Sequence, residues 1–298
     1  MIMKRFRNIL PALPLITALA ANGAVIFSDS FSSGSTLDSV SPAAPTATAT
    51  AYQLLSGKKR SPQPAIGPDD LRFGIAATSS GTIEVQTRFS TTPVALSHEH
   101  DYLELTIVFT NTTGLFAQPG MVGFGLYNSG GVPPLAGGLD GTATASTNVV
   151  SGAQNWQGYA AHIAFEGGYN RIVTRPAQTI TTANNQDVVV EGSPNQSYHG
   201  GTNLVSKASK LTLTSGTLLT EIFRITLTAP NQYQIDSKLY AGGSATGEAL
   251  VSQTAVAKDE TFLTGSFDAL AVGWRIRADS TPSGIDIRSI TVNQGTGP

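Results

Sequence analysis

The chain has 298 residues, of which only 13% are charged, and its formal net charge is −2. It contains 31 glycines and no cysteine, which excludes disulfides, thiol catalysis and thiolate metal sites. Nothing in this charge balance resembles the basic surface of a protein that binds nucleic acid or an anionic membrane, so neither is expected as a partner. Low charge with many glycines is typical of an exported β protein.

The N-terminus predicts a secretory signal peptide. Residues 1–8 are basic, residues 9–19 are apolar, and Ala18-Leu19-Ala20 is a small-residue cleavage site, with a second candidate after Ala24. The apolar stretch is too short to span a bilayer, and no other segment is long enough. We therefore assign residues 1–24 to the signal peptide and expect a secreted, extracellular or cell-surface protein, with the periplasm as an alternative.

The mature chain is predicted to form one domain over residues 25–298, because no shift in composition divides it. Val25–Phe27 is a short apolar run, and a Ser/Thr/Pro-rich excursion follows near residues 34–70. Its second half, residues 56–70, holds a basic triplet and three prolines and is predicted to be a loop.

Beyond this excursion, apolar and polar residues alternate in one short segment after another. Leu103, Leu105, Ile107 and Phe109, for example, share one face of residues 101–110, which is the pattern of a half-buried strand. Further strands are predicted at 71–75, 82–89, 121–127, 158–165, 210–214, 220–228, 232–240, 267–276 and 285–292. No segment has helical periodicity, and no repeat of fixed length is present. The sequence thus predicts an all-β sandwich or barrel.

Several segments resemble the concanavalin A-like lectin and glucanase sandwiches, and more narrowly the laminin-G-like domains of bacterial secreted proteins. They are Phe27-Ser28-Asp29-Ser30-Phe31, the endings 267–275 and 285–292, and the inner segments 102–105 and 124–128. The resemblance implies an all-β, two-sheet antiparallel jelly-roll sandwich of roughly 11–13 strands, in which the sheets are curved and the first and last strands lie side by side. It also implies a concave face that binds glycans and, in some members, a calcium ion, for which Asp29 and Asp286 are candidates.

The enzymatic members of this fold are not favoured by the sequence. The paired-carboxylate strand Glu-x-Asp-x-x-Glu of the glycoside hydrolases is absent, as are the strand motifs of the alginate lyases. No nucleophile elbow and no phosphate-binding glycine loop is present. Because fold alone does not fix function, a hydrolase or lyase with another mechanism stays an alternative.

A histidine pair precedes the predicted strand at residue 101. In an extended chain His98 and His100 point to the same side, and with Glu104 they form His-x-His-x-x-x-Glu, which resembles the first metal motif of the cupins. The flanking glycines and the second motif of that family are missing. A divalent metal held by these three residues is therefore one hypothesis, and an exposed, solvated loop is the other.

The central stretch of the chain combines aromatic, arginine and amide side chains, which are the groups that stack on sugar rings and bind hydroxyls. We predict ligand contacts from a set of six: Trp156, Tyr159, Tyr169, Arg171, Arg175 and Asn185. The alternative is that amide-rich loops simply solvate an exposed β protein.

Three functions remain open at this point. The first is a non-catalytic protein that binds a glycan or belongs to the cell surface or matrix; the second is a polysaccharide-degrading enzyme; the third is a purely structural adhesion module. Two carboxylates facing each other about 5–10 Å apart in a cleft would favour the enzyme. Aromatic and amide groups without such a pair would favour binding.

Overall fold

The structure is a computed structural model that describes most of the chain after the predicted signal peptide. The described residues are 23–32, 53–56, 65–67, 69–75, 81–111, 120–132, 153–165, 168–177, 189, 201–209, 211–212, 214–276 and 283–297. Residues 1–22, and much of the excursion near 34–70, lie outside them. In the described part, no helix is long and apolar enough to cross a bilayer.

The first sheet has eight strands and carries the strand nearest the N-terminus beside the last one. Its order is β14-β13-β12-β7-β17-β4-β3, and β1 also pairs with β17. All of these pairings are antiparallel. The strands are β1 (Ala24–Asp29), β3 (Ala65–Gly67), β4 (Asp70–Ile75), β7 (Asp101–Asn111), β12 (Leu218–Ala229), β13 (Gln232–Ala241), β14 (Val251–Lys258) and β17 (Ser283–Thr296).

The second sheet has seven antiparallel strands in the order β11-β10-β9-β8-β16-β5-β2. Its strands are β2 (Gln53–Ser56), β5 (Gly81–Arg88), β8 (Gly120–Asn128), β9 (Gln157–Phe165), β10 (Tyr169–Arg175), β11 (Asn203–Ala208) and β16 (Ala269–Ile276). A two-residue pair, β6 (Val94–Ala95) with β15 (Ser266–Phe267), completes the described strands. The fold is the all-β antiparallel jelly-roll sandwich that the sequence predicts.

Alternation along the strands builds the core between the two sheets. From the first sheet, Leu105 and Ile225 are fully buried, and from the second sheet Val272 is fully buried in the same apolar cluster. Leu105 and Phe223 are cross-strand partners, as are Leu103 and Ile225, so the apolar faces of β7 and β12 coincide. Each large apolar side chain buried here contributes about 1.5–3 kcal/mol.

Six of the described strands are not predicted by the sequence, and the predicted strand at 210–214 is not found at the described positions 211, 212 and 214. The unpredicted strands are β2, β3, β6, β10, β11 and β14, of which β3 lies within residues 56–70, predicted as a loop. In β14 the buried positions hold Val251, Gln253, Ala255 and Ala257, whereas Val256 is 49% exposed. A buried glutamine and an exposed valine weaken the period-two signal of this strand.

A polar group lies on the inner face of the first sheet. Glu221 and Ser237 are fully buried, and the Ser237 hydroxyl donates to Glu221 Oε1 over 2.7 Å. Gln253, the cross-strand partner of Ser237, is also buried. Burial raises the pKa of Glu221 to about 8, against the opposing effect of the Ser237 hydrogen bond. A protonated carboxyl group thus sits in the core at neutral pH.

We expect Glu221→Gln to change the pH dependence of stability. Between about pH 4.5 and 8 the folded protein keeps a proton that the unfolded chain has lost, so wild-type stability falls as the pH rises. Glutamine does not titrate, so the variant does not lose stability in this way as the pH rises. It should match the wild type near pH 4 and exceed it near pH 9 by roughly 3–5 kcal/mol, at about 1.4 kcal/mol per pKa unit.

Urea unfolding at both pH values measures this difference. Glu248 is exposed in a loop, and Glu248→Gln is the matched control, expected to follow the wild-type profile. Parallel profiles for the wild type and Glu221→Gln would contradict a buried, protonated Glu221.

Candidate functional site

The outer face of the second sheet, which points away from the first sheet, carries polar side chains arranged in cross-strand rows. In the central row Glu84, Gly273, Gly123, His162 and Arg171 are successive partners across β5, β16, β8, β9 and β10. Two glycines therefore separate the carboxylate from the imidazole. At about 4.8 Å per strand, Glu84 and His162 lie roughly 14 Å apart along the backbone.

Small residues form the middle of this outer face. Ala271, Ala160 and Ala269 are buried there together with Val173 and Tyr127 in an apolar cluster separate from the core. Three further buried residues complete the cluster: Ala153, Trp156 and Val189. Because these three do not belong to the sheet, the small side chains of the sheet provide a floor on which other segments lie.

Glu84 and Tyr127 hold the backbone of Val189 on this floor. Its backbone N–H donates to both carboxylate oxygens of Glu84, at 2.9 and 3.0 Å, and its carbonyl accepts from the Tyr127 hydroxyl at 2.9 Å. The Gln86 side chain also donates to Glu84, over 2.6 Å. Glu84 is fully buried, so its carboxylate oxygens hold the protein's own chain.

Gly125 is required by the position of Tyr127. A Cβ at Gly125 would overlap the hydroxyl and Cζ of Tyr127, so the tyrosine ring lies over the glycine on the outer face. Tyr127 also packs against Trp156, with ring centroids 6.2 Å apart. The glycine thus allows an aromatic pair to lie close to the sheet.

Asp268 organises the loops at one end of the outer face. It is fully buried and accepts from the Ser129 N–H at 2.7 Å, from the Ser129 hydroxyl at 2.6 Å and from Arg88 Nη2 at 3.0 Å. Gly130 and Gly131 follow with positive φ of 61° and 82°. The turn after β8 is therefore fixed to the start of β16.

The other edge of the face, on β10 and β11, is open to solvent. Tyr169 is 52% exposed, and the Arg171 guanidinium lies 5.5 Å from the centre of its ring. Arg171 has His162 as its partner on β9 and exposed Ser206 as its partner on β11. His162 itself is buried, and we call Tyr169, Arg171 and Ser206 the edge patch.

The predicted ligand residues have different surroundings in the structure. Tyr169 and Arg171 lie in the edge patch, whereas Trp156, Tyr159 and Arg175 are buried. Asn185 lies outside the described residues. Of the predicted set, the structure therefore brings Tyr169 and Arg171 together at a surface.

The three buried members are held by the protein's own groups. Trp156 Nε1 donates to the Val132 carbonyl at 2.9 Å, and Arg175 donates to the Trp156 carbonyl. Tyr159 points into the core between the sheets, where its hydroxyl donates to the Thr261 carbonyl at 3.0 Å. These contacts occupy the polar atoms that a ligand would need.

The predicted metal residues His98, His100 and Glu104 do not converge. His98 lies in an exposed turn, with Nδ1 3.4 Å from Asp101 Oδ2, and His100 is exposed with a φ of 73°. Glu104 lies on the outer face of the first sheet, where it accepts from Arg224 Nε at 2.7 Å. The turn at His100 breaks the extended geometry that the prediction assumed.

Asp101 acts on this turn as a capping group. Its Oδ2 accepts from the backbone N–H groups of Ser97 and His98 at 3.0 and 2.8 Å. Partial burial raises its pKa, but these hydrogen bonds and one from the Thr296 hydroxyl outweigh that effect and lower the pKa overall.

The candidate calcium residues Asp29 and Asp286 are also separated. Asp29 is buried beside Ile290 of the core and accepts from the Phe31 N–H at 2.7 Å. Asp286 lies near Arg72 and Arg288, at 3.9 and 3.8 Å, on the other face of β17. Within the described ranges, no group of three or more His, Asp or Glu residues is arranged to hold a metal ion.

Sequence reasoning missed Glu84, His162 and Ser206 as parts of this face. Glu84 and His162 each alternate with apolar residues, and this pattern predicts a strand but does not distinguish an outer face that is solvated from one that is covered. Their common row depends on the pairing of five strands, which short-range patterns do not give.

No protein-family model matches the chain, and no curated protein matches it. Among solved structures it is similar to lectin II from Ulex europaeus, with 10% identity, a TM-score of 0.42 and coverage of 84% of this chain and 94% of that one. It is similar to the exoplasmic/lumenal domain of VIP36 in its Ca²⁺/Man3GlcNAc-bound form, with 9% identity, a TM-score of 0.42 and coverage of 81% and 84%.

A third similar structure is the CBM2 module of the evolved Dit of Lactobacillus casei BL23 phage J-1. Its identity is 8%, its TM-score is 0.47, and the match covers 94% of this chain and 99% of that one. The structural neighbours thus include lectins and lectin-like carbohydrate recognition domains. At these identities and TM-scores they define neither a ligand nor a binding site for this chain.

We expect Asp268→Asn to destabilise the fold by about 2–4 kcal/mol. The side-chain amide of the variant would place an N–H donor among the three groups that donate to Asp268. It would also leave the Arg88 guanidinium without its carboxylate partner. Urea unfolding measures this loss.

The matched control is Asp236, which accepts from the Gln234 and Thr254 side chains near the surface. Asp236→Asn should lower the free energy of unfolding by less than about 1 kcal/mol. Equal effects of the two substitutions would contradict a structural role for Asp268.

Proposed function

We propose that this chain is an exported, non-catalytic carbohydrate-binding β-sandwich that binds glycan at the edge patch. The observation that carries the proposal is the half-exposed ring of Tyr169 with the Arg171 guanidinium 5.5 Å from its centre. An exposed aromatic ring is a surface for the apolar face of a sugar. A guanidinium beside it supplies several hydrogen-bond donors in a fixed geometry.

The patch also contains a group that can accept hydrogen bonds. The hydroxyl of Ser206 lies beside Arg171 on the neighbouring strand β11. A sugar hydroxyl both donates and accepts, so a site with a guanidinium and a hydroxyl group beside an aromatic ring matches its chemistry. Because all three residues lie on paired strands, the backbone fixes their spacing.

The outer face does not favour hydrolysis by a carboxylate pair. The carboxylates described on this face are Glu84 and Asp268, and both are fully buried. Glu84 holds Val189 and Gln86, and Asp268 holds Ser129 and Arg88. Both retaining and inverting glycosidases need two carboxyl groups across the scissile bond. The described face shows exposed aromatic and arginine side chains without a carboxylate pair open to a substrate, which supports binding over catalysis.

Export through the predicted signal peptide is part of the proposal. The structure bears on the choice between the two candidate cleavage sites, because Ala24 pairs with Gln294 in β1. At Gly23, a Cβ would lie 2.6 Å from the Tyr102 hydroxyl. Cleavage after Ala24 would remove the first residue of β1 and the glycine that lies close to Tyr102, so cleavage after Ala20 is favoured.

We therefore expect the protein recovered from the culture medium or periplasm to begin at Ala21. N-terminal sequencing of the exported protein tests this position. A mature chain that begins at Val25 would contradict the structural argument for the first site, and a chain that keeps Met1 would contradict export by cleavage.

We expect Tyr169→Ala to weaken glycan binding at least tenfold, because burying a large apolar side chain is worth about 1.5–3 kcal/mol and about 1.4 kcal/mol corresponds to a tenfold change in affinity. The measurement is a glycan-array screen followed by titration calorimetry with the best ligand. Tyr240→Ala, on the outer face of the first sheet, is the matched control and should bind like the wild type.

The screen also separates the alternatives. Release of reducing ends from a bound polysaccharide would show an enzyme and contradict the non-catalytic assignment. Absence of binding across the array would contradict the proposal and favour a structural adhesion module.

A further inference from the structure

We infer that the glycan is anionic and that Arg171 binds its negatively charged group. This inference rests on the proposed function and adds the chemical class of the ligand. It follows from the electrostatic surroundings of Arg171, which differ from those of the other arginines whose partners the structure describes.

Four arginines pair with carboxylates of the chain. Arg72 Nη2 lies 2.7 Å from Asp70 Oδ2, and Arg88 Nη2 lies 3.0 Å from Asp268 Oδ2. Arg224 donates to Glu104, and Arg288 Nη1 lies 3.2 Å from Asp70 Oδ2. On a chain with a formal net charge of −2, acceptors are available, and these arginines use them.

Arg171 has no such partner among the described residues. Its one described contact of this kind is with the Tyr169 ring, and its Nε is buried without a hydrogen-bond acceptor. A guanidinium nitrogen removed from water without an acceptor is unfavourable, and an anion supplied from outside relieves that cost. The planar guanidinium binds carboxylates and sulfates through two parallel hydrogen bonds.

The nearest described carboxylate in the same row does not neutralise this charge. Glu84 is four strands away from Arg171, which corresponds to about 19 Å along the sheet. That separation is more than twice the Debye length of about 8 Å at physiological ionic strength. Glu84 is, moreover, fully engaged by Val189 and Gln86.

The positions of Tyr169 and Arg171 suit one charged sugar unit. The two residues are separated by one residue on β10 and share its outer face, so their Cα atoms lie roughly 7 Å apart. A sugar ring stacked on Tyr169 can therefore present its carboxylate or sulfate to Arg171.

The test compares matched polymers that differ in charge. We would titrate the full-length mature protein with polygalacturonate and its carboxyl-reduced neutral counterpart, and with dextran sulfate and dextran, at two salt concentrations. We expect at least tenfold tighter binding to one or both anionic polymers than to the neutral partner, weakening as salt rises. The polymer pair that shows the difference identifies a carboxylate or a sulfate as the recognised group.

Variants assign that difference to Arg171. Arg171→Gln should abolish the preference for the anionic polymer, and Arg171→Lys should restore part of it, since lysine keeps the charge but not the two-pronged geometry. Lys207→Gln is the matched control: it removes one positive charge from the same edge but from the other face, and it should keep the preference. Thermal unfolding checks that each variant is folded.

Two results would overturn the inference while leaving the proposed function intact. One is equal binding of the anionic and neutral members of each pair, or of neutral glycans alone. The other is a preference for anionic polymers that survives in folded Arg171→Gln or is lost equally in Lys207→Gln. Absence of binding to every polymer and to a neutral glycan array would instead contradict the proposed function itself.

Discussion

The second sheet buries side chains on both of its faces, and this constraint shapes the rest of the molecule. In β16, Leu270, Val272 and Trp274 pack into the core between the sheets, while Ala269, Ala271 and Gly273 face outward and are also buried. Large side chains alternate with small ones along this strand. One face therefore packs into the core between the sheets, and the other gives a flat surface of small residues on which other segments lie. Only a floor of glycine and alanine lets another segment approach the backbone so closely.

The burial of the outer face decides which polar residues hold the fold together. Glu84 and Asp268 are both fully buried there and both accept from backbone N–H groups, of Val189 and of Ser129. A buried carboxyl group is tolerated inside a protein when such donors satisfy its oxygens. The outer face therefore depends on polar contacts at its centre and at one end, and it presents side chains to solvent at the β10–β11 edge.

The first sheet could be predicted from the sequence more fully than the second. In β7 and β12 one face is solvated, so Leu105 and Phe223 alternate with polar residues in the pattern of a half-buried strand. In β10 the inner face includes Asn170 and Thr174, which accept from the backbone of Ala164 and Thr202. Polar side chains on both faces remove the period-two signal, so the sequence pattern does not predict this strand.

The candidate site could be predicted only in part, for a related reason. By residue type, Tyr169 and Trp156 are equally good aromatic groups for a ligand. Their environments diverge because Trp156 lies in a turn that folds onto the alanine floor, whereas Tyr169 begins a strand near the edge of the sheet. Such a difference arises from the pairing of distant strands, and short-range patterns along the chain do not contain it.

Whether the fold supplies a partner for a charged side chain distinguishes binding residues from structural ones better than the residue type does. Arg88, Arg175 and Arg171 all lie on the outer face of the second sheet, and all three are plausible ligand groups by chemistry. Arg88 pairs with Asp268 and Arg175 donates to the Trp156 carbonyl, so replacing either would disturb the fold. Arg171 has no carboxylate partner among the described residues and lies beside the exposed Tyr169 ring. A charged group that the fold does not use is one that a ligand can engage without a structural cost.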